Sequence, residues 1–109
     1  MDKVANYRRV LRRLVQEYAG YKPSHGQIEP IPVCDPKSDN YLLIHAGWDN
    51  IRRIHSTIFH LRLRDGKILI EEDGLEYGIT QDLLDAGVAQ KDIVYALENE
   101  TLPTFKKAG

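Results

Sequence analysis

The stretch HAGWDNIRRIHSTIFH, residues 45–60, holds three of the chain's four histidines, its only tryptophan and a pair of adjacent arginines. Imidazoles at this density could ligate a metal or serve as acid–base groups. A metal needs ligands whose side chains converge on one point. His55 and His60 are five residues apart, and on a regular strand an odd separation sends two side chains to opposite faces. Only a bulge between them would bring both to one ion. His45 could join one of them across a hairpin, but two histidines without a third ligand make a poor site. His25 lies in a Pro- and Gly-rich loop and has no assigned place. The histidines are therefore read as structural or surface groups, with no metal and no cofactor expected.

Other chemistry fares no better. Cys34 has no nearby histidine or capped helix start to lower its pKa, so a small apolar role is expected. The acidic run EEDGLE lacks the alternating oxygen ligands and terminal glutamate of an EF-hand loop. There is no phosphate-cradling glycine loop and no nucleophile elbow. An enzymatic reading would need His55 or His60 beside a carboxylate such as Glu71 in a pocket. The expected pairing of His60 with Glu71 is more simply a cross-strand contact. No catalytic residues are assigned, and the chain is read as a non-enzyme.

The elements that position these residues follow from periodicity. Val4, Tyr7, Leu11, Leu14 and Tyr18 recur at three- and four-residue steps, which predicts a first helix stopped near Gly20 and Pro23. Arg8, Arg9, Arg12 and Arg13 fall mostly on its polar side, as a solvated face or as a set of phosphate contacts. QIEPIPV suits an edge strand, because Pro30 and Pro32 remove backbone donors. DPKSDN is a turn. YLLIHAGW is apolar on both faces and predicts a central strand. DN at 49–50 is a two-residue hairpin signal, and DG at 65–66 is a second. In the strand between them, His55, Thr57, Phe59, Leu61 and Leu63 should share one face, with Ile54, Ser56, Ile58, His60, Arg62 and Arg64 on the other. Leu63 should face Ile68, and Leu61 should face Ile70. DG at 73–74 ends the third strand of this antiparallel meander. Thr80 is placed as the cap of a short helix that Gly87 stops. VAQKDIVYALEN is either another short helix or a turn followed by an extended segment. The tail after it looks irregular.

At 109 residues the chain is expected to form one domain, 1–109. The formal charge of −1 is close to balance, far from a strongly basic nucleic-acid binder. Basic residues nevertheless gather in the first helix and acidic ones between Glu71 and Asp85. The start lacks a signal-peptide pattern, no apolar run reaches membrane-span length, and one cysteine excludes an internal disulfide. A cytoplasmic protein is expected.

The ordered set HAGWDN (45–50), Arg53, His55, HLRLRDGKILIEEDG (60–74), Glu76–x–Gly78–Ile79 and L-x-x-A-G-V-x-x-x-D-I-V (83–94) resembles the XisI family of fdxN element excision controlling factors. The opening MDKVANYRRVLRRLVQEYA also looks like that family's first helix. The resemblance implies an α+β fold, with an N-terminal helix packed on an antiparallel β-meander and one or two short C-terminal helices. It also implies an accessory role in excising a DNA element during cyanobacterial heterocyst development. The factor would act through an XisH-like protein partner, with the cutting chemistry elsewhere. The family brings no catalytic residues. The ending YALENETLPTFKKAG departs from the His-Pro-Pro-like stretch and aromatic tail common in the family.

Two functional expectations follow. The first is a protein partner surface drawn from Trp48, Asp49, Arg53 and His55, with Trp48 either at that surface or packed against the first helix. The second is direct DNA contact through Arg8, Arg9, Arg12 and Arg13, extended by Arg52, Arg53, Arg62 and Arg64 if both sets share one surface. A homodimer is also open, because a small sheet with a free edge can accept another strand.

Overall fold

Asp2 opens the first helix, α1 (Lys3–Ala19), by accepting the Val4 amide at 3.0 Å, which satisfies one of the donors a helix start leaves unpaired. Tyr7, Val10, Leu11, Leu14 and Val15 form its buried stripe, and Gly20 closes it. The computed structural model describes residues 2–24 and 26–96. His25 and the tail from residue 97 lie outside the described residues.

Five strands form one sheet in chain order: β1 (Gln27–Asp35), β2 (Asn40–Asp49), β3 (Arg52–Arg64), β4 (Lys67–Asp73) and β5 (Ile93–Tyr95). β1 is an edge strand, as its prolines require. Pro30 and Pro32 have the same parity, so one register turns both nitrogens away from β2 and leaves the pairing intact from Gln27 to Asp35. Asp65 and Gly66 both take positive φ in the β3–β4 turn, as a tight hairpin demands. Leu63 pairs with Ile68 and Leu61 with Ile70, as expected.

The core lies between α1 and one face of this sheet. Tyr41 and Leu43 from β2, Phe59, Leu61 and Leu63 from β3, and Ile68 and Ile70 from β4 meet the helix stripe there. A short helix, α2 (Thr80–Asp85), adds Leu83 to the same cluster. Tyr18 of α1 donates to the Asp82 carboxylate, so both helices occupy the same side. The fold is α+β, with a helix backing a mostly antiparallel sheet.

Several local expectations are corrected. The β2–β3 turn is Asn50–Ile51 rather than 49–50, because Asp49 still pairs with Arg52. Asn50 takes the positive φ of 59° that asparagine tolerates. Thr80 is not a cap: Ile79 precedes α2, and its amide is held by the Asp73 carboxylate at 2.8 Å. Gly87 does stop α2, with φ of +96°, while the amides of Gly87 and Val88 return to Leu84 and Leu83. Of the two readings of residues 88–99, the turn and extended segment holds through Tyr95. A 3₁₀ turn, Gln90–Asp92, leads into β5, which pairs parallel to β4.

That last strand is anchored by a buried carboxylate. Asp92 is 2% exposed and accepts the Tyr7 hydroxyl at 2.7 Å. Lys3 and Lys67 approach it at 3.3 and 4.0 Å. The Tyr7 hydrogen bond, with Lys3 and Lys91, holds the Asp92 carboxyl below its ordinary pKa against the effect of burial.

Candidate functional site

The histidine strand is where local parity fails. Leu43 pairs with Phe59, but Ile44 pairs with Thr57, so Ile58 is an extra residue on β3. A bulge of this kind reverses which face the residues beyond it occupy. Phe59, Leu61 and Leu63 keep the helix side as expected. His55 and Thr57 do not share it: they lie on the open face with His60 and Arg62, while Ile54 and Ser56 turn toward the helix side. The Ile58 carbonyl accepts the Gly74 amide at 2.6 Å, and Ile58 packs against the core. The loop after β4 therefore fixes the bulge.

The bulge puts His55 and His60 on one face without bringing them together. Their β2 partners, Ala46 and Leu42, are four residues apart, roughly 13 Å along a strand. His60 Nε2 meets the Asn40 side-chain oxygen at 2.8 Å. Burial lowers the His60 pKa, opposed by Glu71. A second shift in register makes Glu72, not Glu71, the partner of His60, and Glu71 pairs with Arg62 at 2.9 Å. The expected His60–Glu71 pair is replaced by these two contacts. His45 lies on the helix side, and burial lowers its pKa. Among the described residues, no three His, Cys, Asp or Glu side chains are placed to hold a metal ion.

Trp48 does not pack against α1. It alternates with Leu43 along β2, which sends it to the open face, where it is 49% exposed. Its cross-strand neighbour Arg53 lies over the indole, 5.6 Å from the ring centroid, and donates to the Gly47 carbonyl at 3.3 Å. His55 is exposed two residues farther along the same face. Asp49 points the other way and sits 3.7 Å from Arg52, closing the hairpin. Three of the four candidate partner residues are thus brought together, and Asp49 shapes the turn behind them.

Gly47 explains the glycine in HAGWDN. An added Cβ there would lie 1.9 Å from the Gln27 carbonyl oxygen and 2.8 Å from Ile28 Cα. β1 can reach the hairpin end of β2 only because that side chain is missing.

The arginines divide. Arg8 makes two hydrogen bonds to the Asp39 carboxylate, at 2.8 and 3.0 Å, and Arg13 lies 3.8 Å from Glu17. Arg9 bonds Asn6. Arg8, Arg9 and Arg12 line a groove of about 460 Å³ with Gln16, Cys34, Pro36 and Tyr41. Burial raises the Cys34 pKa, in keeping with a structural thiol. Of the strand arginines, Arg52 shares the helix side with its partner Asp49, but Arg53, Arg62 and Arg64 are on the opposite face of the sheet from α1. Three of the four strand arginines therefore cannot extend the helix set.

Sequence reasoning missed the aliphatic centre of the open face. Ile31 and Val33 of β1 sit beside Ile44 and Leu42 of β2, all partly exposed. The signal was the two-sided apolar pattern of YLLIHAGW, which suits a strand covered on both faces. Among the described residues, both helices cover only one.

This is an α+β protein whose candidate site is an exposed sheet face and hairpin end. The family model described as XisI protein matches residues 1–107, and the chain belongs to the XisI family. The crystal structure of the fdxN element excision controlling factor XisI from Anabaena variabilis ATCC 29413 is similar at 30% identity and a TM-score of 0.74, covering 99% of this chain and 100% of that one. A XisI-like protein from the same organism gives a TM-score of 0.80 at 24% identity, covering 97% and 94% of the two chains. No curated protein matches. Among the described residues, no helix is long and apolar enough to cross a membrane.

Proposed function

We propose that this chain is a non-enzymatic accessory factor that controls excision of a DNA element by binding an XisH-like protein. Its contact runs through Trp48, Arg53 and His55. The observation that supports this reading is the state of Trp48: half exposed, turned away from both helices, and lying under the Arg53 guanidinium. A large aromatic ring that contributes little to the core and stays exposed is suited to anchor a partner. Ile51, 94% exposed at the hairpin tip, extends the apolar contact.

The test is co-expression with the XisH-like protein of the same genome, with only one of the two tagged. The expected result is co-elution that survives raised salt. Trp48→Ala should cost about 2 kcal/mol or more of binding, roughly thirtyfold in affinity, with melting unchanged. Two folded proteins that never co-elute would overturn the reading.

A further inference from the structure

We infer that the open face of the sheet docks a second copy of this chain, face to face about a two-fold axis running along β2. This does not rest on the XisH-like partner reading: a dimer on this face covers Trp48 and His55, so the two contacts exclude each other. The dimer is the state of the chain without that partner, which is how it is tested.

The register gives the argument. Across β1, β2 and β3 the open face is built in level rows: Gln27–Trp48–Arg53, Glu29–Ala46–His55, Ile31–Ile44–Thr57, Val33–Leu42–His60 and Asp35–Asn40–Arg62. The middle rows are aliphatic on β1 and β2. The outer rows carry acids only on β1 and arginines or histidine only on β3. Two copies stacked with the two-fold axis along β2 place β1 of each over β3 of the other, at the same height. Glu29 then meets the second copy's His55, Asp35 meets its Arg62, and Ile44 and Leu42 meet their own counterparts on the axis. The other in-plane axis, across the strands, would lay β1 over β1 and set acid against acid. The charge pattern selects one arrangement, and it is the aligned packing that twisted sheets adopt, about 10 Å apart.

The remaining contacts agree. Asp35 already accepts from Ser38 and the Lys37 amide, and Arg62 is already paired with Glu71, so the charge argument is carried by Glu29 and His55. Glu29 and His55 are exposed and have no hydrogen bond or ion pair among the described residues. A two-fold contact is self-complementary by definition. A contiguous apolar strip flanked by opposite charges on its two sides meets that condition. Because the axis runs along the strands, both hairpin tips emerge at the same end of the dimer.

Sedimentation of the full chain across micromolar concentrations tests this. The expected particle is two chains. Ile44→Glu should raise the dissociation constant at least about a hundredfold, because it sets two carboxylates on the axis. Glu29→Lys and His55→Glu, both at exposed positions that spare the fold, should each weaken association about tenfold or more, and the double variant should recover it. A monomer at all concentrations would overturn the inference. So would a dimer untouched by all four variants, or single charge variants that weaken association without mutual rescue.

Discussion

On the helix side of the sheet, Tyr41, Leu43, Phe59 and Leu61 are at most 1% exposed and meet a helix stripe of matching spacing. On the open side, the residues alternating with them are Leu42, Ile44 and, past the bulge, His60 and Arg62. The same strands supply both sides, so backbone pairing serves both equally. The difference is what covers them. Removing a closed-side residue leaves a cavity that the packed helix cannot fill. Removing an open-side residue from the single chain leaves a gap that water enters freely. Stability should therefore reside on one face and recognition on the other.

The largest break in that comparison should come from Phe59→Ala. Its loss is expected to cost about 3–5 kcal/mol, read as a fall in the urea midpoint with an unchanged denaturant slope. Gly47→Ala should follow at about 1–3 kcal/mol, since its Cβ would enter the Gln27 carbonyl. The damage should centre on β1, visible as faster amide exchange at Gln27–Glu29 than in β3 and β4. This would show that the open face also depends on one backbone contact.

A smaller effect sharpens the picture with pH. The Tyr7 hydroxyl and nearby lysines depress the Asp92 carboxyl pKa in the folded chain. A depressed acid contributes stability above its unfolded pKa of about 3.9, and that stability is lost as pH falls through the folded value. Asp92→Asn should flatten the fall in the urea midpoint below about pH 4 and lower the midpoint at neutral pH. A variant with the same acid slope as the parent would show that Asp92 is not the linked group. The smallest change is expected at Trp48→Ala, within about 0.5 kcal/mol in stability, because the indole touches neither helix. A large loss of stability there would erase the distinction between the faces.

Much of this architecture was legible because the signals were local. The first helix follows from three- and four-residue spacing, the β3–β4 hairpin from Asp65–Gly66, and the edge position of β1 from Pro30 and Pro32. The pairs Leu63–Ile68 and Leu61–Ile70 followed once the turn length was known. The candidate site was less legible. Trp48 was picked out by type, but its face was undecided. Asp49 was grouped with it by proximity in the chain, although adjacent strand residues point apart. Arg53, Arg62 and Arg64 are separated from the helix arginines by the thickness of the sheet, a fact that, for Arg53, parity across a bulge hides from the sequence.

What the sequence determined by itself was the set of elements, their order and most turns, since each depends on residues within a few positions of one another. The tertiary structure alone decided which side His55 faces, which carboxylate pairs with Arg62, and that residues 93–95 add a parallel strand. Side-chain parity is a local rule, but the bulge at Ile58 is held by the Gly74 amide, sixteen residues away. The fifth strand is likewise held by Asp92 reaching Tyr7 on the first helix. Both depend on groups far apart in the chain that meet only when the sheet and helix pack together.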